Sequence, residues 1–102
     1  MDEKKAYGLL LALGKSVGED AQERPEIIPE LRAIATVDAL EAFLVAHRGN
    51  VPEAMAREFA RSVAPEALVP TRAKLVIQAK MVAAGQDPVS PADAAKGPVK
   101  HR

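Results

Sequence analysis

Few side chains in this chain of 102 residues could do chemistry, and their spacing argues against most of it. Gly8-Leu9-Leu10-Leu11-Ala12-Leu13-Gly14-Lys15-Ser16 has the outline of a phosphate-binding P-loop. Five residues rather than four separate its glycines, however, and those residues are strong helix formers. Only seven residues precede Gly8, too few for the strand that such a loop follows. The two imidazoles, His47 and His101, lie far apart in a chain without cysteine, so a metal site would have to draw its other ligands from carboxylates elsewhere. His47 is expected half-buried near the end of a helix, where positive charge is favourable. Glu26 and Glu30 stand one helical turn apart; on an exposed edge they are a mildly repulsive pair rather than an acid–base dyad. No serine or threonine adjoins a recognisable base, and no glycine-rich cofactor loop is present. The expectation is a protein that is not an enzyme and holds no cofactor and no metal.

The elements that must position these residues are helical. Twenty of the residues are Ala and three are aromatic, Tyr7, Phe43 and Phe59, a mix that suits closely packed helices better than strands. The centre of the chain is a helical pair running from Thr36 to Val63. Thr36 is an N-cap, and Val37, Leu40, Phe43, Leu44 and His47 follow at the spacing of one helical face. Gly49 stands where a left-handed residue closes a helix, and Asn50-Val51-Pro52-Glu53 reads as a capping box for the next. In that second helix Val51, Met55, Phe59 and Val63 form a narrow stripe, with Arg57, Glu58 and Arg61 pointing elsewhere.

Asp2 caps a first helix expected to reach about Val17, with Tyr7, Leu10, Leu11 and Val17 on its buried face. Gly8 and Gly14 inside that helix each cost about 1 kcal/mol relative to Ala, which close helix contact or fraying near Gly14 would explain. Gly18 to Arg24 reads as a polar loop or the start of the next element, and Pro25 to Ala35 as a short helix. Two prolines, Pro65 and Pro70, interrupt the chain after Val63; a single turn from Pro65 should leave Leu68 in the core. A helix is predicted from Thr71 to Ala84, stopped by Gly85.

That last helix is unusual. Arg72 and Lys74 occupy its first turn, where the helix dipole favours acids, and it contains no acid at all. Leu75, Ala79 and Val82 make a core face, whereas Ile77 and Met81 form a second stripe flanked by Lys74, Gln78 and Lys80. Burial under the first helix accounts for the second stripe; so does a surface for a protein partner or for self-association.

Leu40 through Phe59, with Gly49-Asn50 at the junction and the small residues Ala54 and Ala56 beyond it, resembles the first two helices of the helix-turn-helix of Fis-type bacterial DNA-binding domains. The resemblance spans about 20 residues and implies a nucleic-acid partner. A recognition helix should follow at once, and here Ala60-Arg61-Ser62-Val63 continues the second helix instead. Arg57, Arg61, Arg72, Lys74 and Lys80 nevertheless make a basic set that could meet phosphates.

Charge is distributed unevenly at zero net. Residues 1–45 carry nine acids and five bases, and residues 46–102 carry five acids and nine bases. Opposite halves could attract inside the bundle, support a head-to-tail contact or present the basic half to an anion. No stretch has a signal-peptide pattern or the length of a membrane span, so a cytoplasmic location with no membrane partner is the default.

Together these features predict an all-α fold: a compact bundle of four main helices plus one short helical turn over residues 1–84, with a flexible tail over 85–102. The function expected is that of a small protein–protein interaction module acting through Lys74, Ile77, Gln78, Lys80 and Met81. The alternative is a small nucleic-acid-binding protein using Arg57, Arg61, Arg72, Lys74 and Lys80.

Overall fold

A computed structural model describes residues 1–85; the predicted tail from Gln86 onward, and His101 within it, lie outside the described residues. The order is α1 (Glu3–Glu23), α2 (Ile27–Arg32), α3 (Val37–Ala46), α4 (Glu53–Arg61), a 3₁₀ turn (Pro65–Ala67) and α5 (Leu68–Ala83). Four of these helices are long and α2 is short, and no strand occurs among the described residues. The all-α fold expected from composition and periodicity is what forms.

The spine of the molecule is α1 against α5. Asp2 caps α1 by accepting the Lys5 N–H at 2.7 Å. The helix then continues six residues past the expected end at Val17, through the acidic stretch read as a loop. Tertiary packing explains the extension. A Cβ added at Gly14 would stand 2.7 Å from Gln78 Cβ, and one at Gly18 only 2.6 Å from both the Ala79 carbonyl oxygen and Val82 Cβ. The two glycines therefore let α5 come close to the α1 backbone, and the packing offsets their poor helix propensity. Gln22 Nε2 then donates to the Val82 carbonyl at 2.9 Å, tying the last turn of α1 to the end of α5. Four residues along α1, from Gly14 to Gly18, correspond to four along α5, from Gln78 to Val82, so the helices run parallel. Gly8, by contrast, has nothing within 4 Å of an added Cβ, and no close contact explains it.

Parallel neighbours cannot be joined by a tight turn, and α2, α3 and α4 form the crossover between them. Ile27 and Leu31 of α2, Leu40 and Leu44 of α3, and Phe59 of α4 enter one core with Leu13 and Val17 of α1 and Leu75 of α5. Each such side chain contributes about 1.5–3 kcal/mol relative to an exposed position. The α2 helix is shorter than the predicted Pro25 to Ala35 span. Thr36 caps α3 as expected, its Oγ1 accepting the Ala39 N–H at 3.0 Å.

The α3–α4 junction differs from the expectation in one respect. Gly49 is left-handed, with φ 58°, and a Cβ there would collide with Ser16 Oγ. The Val51 N–H bonds the Arg48 carbonyl at 3.0 Å, so Asn50 lies within a turn and Pro52, not Asn50, caps α4. The predicted capping box does not form, because the turn places Asn50 two residues before the cap position. The α4 helix ends at Arg61 rather than Val63.

The turn at Pro65 forms, and Leu68 is buried as expected. However, α5 begins at Leu68, three residues before the predicted start, and includes Pro70 in its first turn. The first N–H groups of a helix have no acceptor within it, so a proline at that position costs no hydrogen bond. Gly85 follows the helix with φ 80°, the expected left-handed stop. Among the described residues no helix is long and apolar enough to cross a membrane.

Candidate functional site

The exposed side of α5 is the feature that folding leaves unused. At about 100° per residue, Ile77 is centred on a face that takes in Ala73, Ala84, Pro70 and Met81, with Lys74 on one flank and Lys80 on the other. Ile77 is 61% exposed and Val69, at the edge of the same face, 58%; Ala73, Lys74 and Lys80 are also exposed, and Met81 is half-buried. Burial of the second stripe under α1 therefore does not hold for Ile77. Gln78 is different: it is 4% exposed and packs beside Gly14, so it belongs to the α1–α5 contact and not to the outer surface.

The predicted basic set is not one continuous surface of free charge. Glu41, whose side chain is 11% exposed, sits between two arginines of the neighbouring helix. Arg57 donates to it at 2.9 Å and Arg61 at 3.0 Å, and Arg57 also reaches Glu53 at 2.7 Å. Hydrogen bonds from Arg61, then Arg57, hold the Glu41 carboxyl below the usual glutamate range, and Arg57 does the same for Glu53. Conversely, Glu53 and then Glu41 push the Arg57 guanidinium up. Arg72 is also engaged, donating to the Ile34 carbonyl just beyond α2. Lys74 and Lys80 alone of the five have neither an ion pair with a carboxylate nor a side-chain hydrogen bond among the described residues. Sequence reasoning missed Glu41, although its place one turn after Val37, at the edge of the apolar face of α3, was a signal: a carboxylate at that register can meet arginines four apart on α4.

An open groove of about 590 Å³ adjoins the start of α5, with Tyr7, Leu10, Phe59, Val63, Ala67 and Lys74 among its walls. Tyr7 was expected on the buried face of α1 and is instead 47% exposed at this groove. Lys74 thus borders both the groove and the outer face of α5.

The residues that first suggested chemistry have structural occupations. Ser16 Oγ donates to the His47 carbonyl at 2.6 Å, and Gly8 to Ser16 is continuous helix rather than a phosphate loop. His47 Nδ1 lies 2.8 Å from Asp20 Oδ2, and its ring rests 4.6 Å from that of Phe43, so it joins the end of α3 to α1. Glu26 bonds Arg24 at 3.0 Å rather than Glu30. Its carboxyl is lowered first by its own backbone N–H and then by Arg24. Among the described residues no three His, Asp or Glu side chains converge in a group that could hold a metal ion.

No protein-family model matches the chain, and neither curated proteins nor solved structures give a significant match.

Proposed function

We propose that the protein is a non-enzymatic interaction module, an adaptor, inhibitor or assembly subunit, that docks a protein partner on the outer face of α5. The observation that carries this reading is Ile77, a large apolar side chain 61% exposed and flanked by Lys74 and Lys80 on a helix whose opposite side is core. Isolated exposed apolar residues are ordinary; an exposed apolar row rimmed by polar side chains is the kind of surface that supports an interaction site. Lysine stems also extend the apolar area while their ammonium groups stay in water.

Nucleic-acid binding has less support from the arrangement of charge. Three of the five cations assigned to it are hydrogen-bonded within the fold, to Glu41, Glu53 and the Ile34 carbonyl. Phosphate contact by the remaining two would give a weak, salt-sensitive interaction.

Site-specific photo-crosslinking tests the proposal. A benzophenone side chain at position 77 should give a discrete protein adduct in the native cells, while the same group at exposed Glu19 of α1 gives none. Absence of any adduct from position 77, or equal adducts from both positions, would refute the docking face. An adduct to nucleic acid would support the alternative.

A further inference from the structure

The charge pattern of α5 also specifies what kind of protein segment it takes. This step rests on the docking face proposed above and concerns the chemistry of its occupant. Lys74 and Lys80 are six residues apart, about 9 Å along the axis and roughly 120° around it, with Ile77 midway between them. The neighbours Ala73 and Ala84 are small, so Ile77 stands as a ridge with shallower surface before and after it. A ridge of this type fits between the side-chain rows of a facing helix. No acid occurs in α5, and neither lysine pairs with a carboxylate among the described residues.

A second copy placed α5 against α5 would bring together across the contact four lysines that have no ion pair among the described residues. Like charges at that range oppose association. We infer that the occupant is an acidic amphipathic helix of a different protein, with an apolar stripe against Val69, Ala73 and Ile77 and carboxylates on both sides of that stripe, facing Lys74 and Lys80. Such pairing selects among helices by charge more than it adds affinity.

Two synthetic helical peptides with the same leucine stripe, one flanked by glutamates and the other by lysines, provide the test. They are titrated against the full chain and against its Lys74→Glu/Lys80→Glu variant, with amide chemical shifts reporting the site. The glutamate peptide should bind the wild-type protein about tenfold more tightly than the lysine peptide, the preference should reverse in the variant, and shifts should cluster on α5. Equal affinity for both peptides overturns the charge selection and leaves the docking face standing. Binding of neither peptide, or shifts centred away from α5, overturns the docking face as well. A duplex DNA competitor that displaces the glutamate peptide and loses affinity steeply with salt assigns the lysines to phosphate instead and also overturns the inference.

Discussion

Gly18 of α1 and Val82 of α5 approach so closely that a Cβ added to the glycine would stand 2.6 Å from the valine Cβ. The same added atom would meet the Ala79 carbonyl oxygen at 2.6 Å, and backbone has little freedom to withdraw. The three glycines of α1 give a contrasting set of expectations. Gly18→Ala should destabilise by about 1–3 kcal/mol through overpacking. Gly14→Ala should destabilise by a similar amount, because its nearest neighbour, Gln78 Cβ at 2.7 Å, is fixed directly to the α5 backbone and Gln78 is buried. Gly8→Ala meets nothing within 4 Å and should stabilise by up to about 1 kcal/mol from helix propensity. Urea denaturation of the three variants checks the contrast; a Gly18→Ala protein as stable as wild type would show that α1 and α5 are farther apart than described.

Residues 75 and 77 separate folding from surface on one helix. Leu75 is fully buried, and Leu75→Ala should cost about 2–5 kcal/mol. Ile77 is exposed, and Ile77→Ala should change stability by no more than about 0.5 kcal/mol. Thermal unfolding of both variants measures the contrast. In the crosslinking experiment Ile77→Asp, with the photo-group moved to Ala73, should remove the adduct from a protein that remains folded.

The two helix starts around α3 and α4 make opposite predictions from similar sequence signals. Thr36→Ala removes a cap that is formed and should cost about 1 kcal/mol. Asn50→Ala removes no cap bond, since Pro52 holds the cap position, and should fall within about 0.5 kcal/mol of wild type. Circular dichroism during denaturation resolves the difference; a larger loss at Asn50 would mean that the capping box forms after all.

Acid should weaken the α3–α4 pairing through Glu41. Its carboxyl is held low in the folded protein by Arg61 and Arg57, so the unfolded chain takes up a proton there at higher pH than the folded one. The stabilisation is complete above the ordinary glutamate value of about 4.3 and is lost as pH falls through the lower folded-state value. Glu53 acts in the same direction. The stability gap between wild type and Glu41→Gln should therefore be greatest near neutrality and narrow below pH about 4. A gap that stays constant with pH would show that the arginines do not bias this carboxyl.

Local patterns in the sequence determined the helices, several of their caps and stops and much of the core. Leu40 and Leu44 read as buried from spacing alone, Thr36 as a cap from its place before an apolar face, and Gly49 and Gly85 as left-handed stops from their lack of a Cβ. The Ile77 stripe and its lysines were legible too, because α5 carries more apolar positions than one buried face can use. What the sequence could not supply was which residues would meet across the chain. The length of α1 past Val17 depended on Gly14 and Gly18 meeting Gln78 and Val82, some 60 residues away, and propensity counted those glycines only as breaks. The basic surface divided in the same way: Arg57 and Arg61 look free until α3 brings Glu41 between them, and Arg72 until it reaches the Ile34 carbonyl. Periodicity records which side of a helix is apolar; only packing decides what lies opposite, and therefore which charges are used within the fold and which stay at the surface.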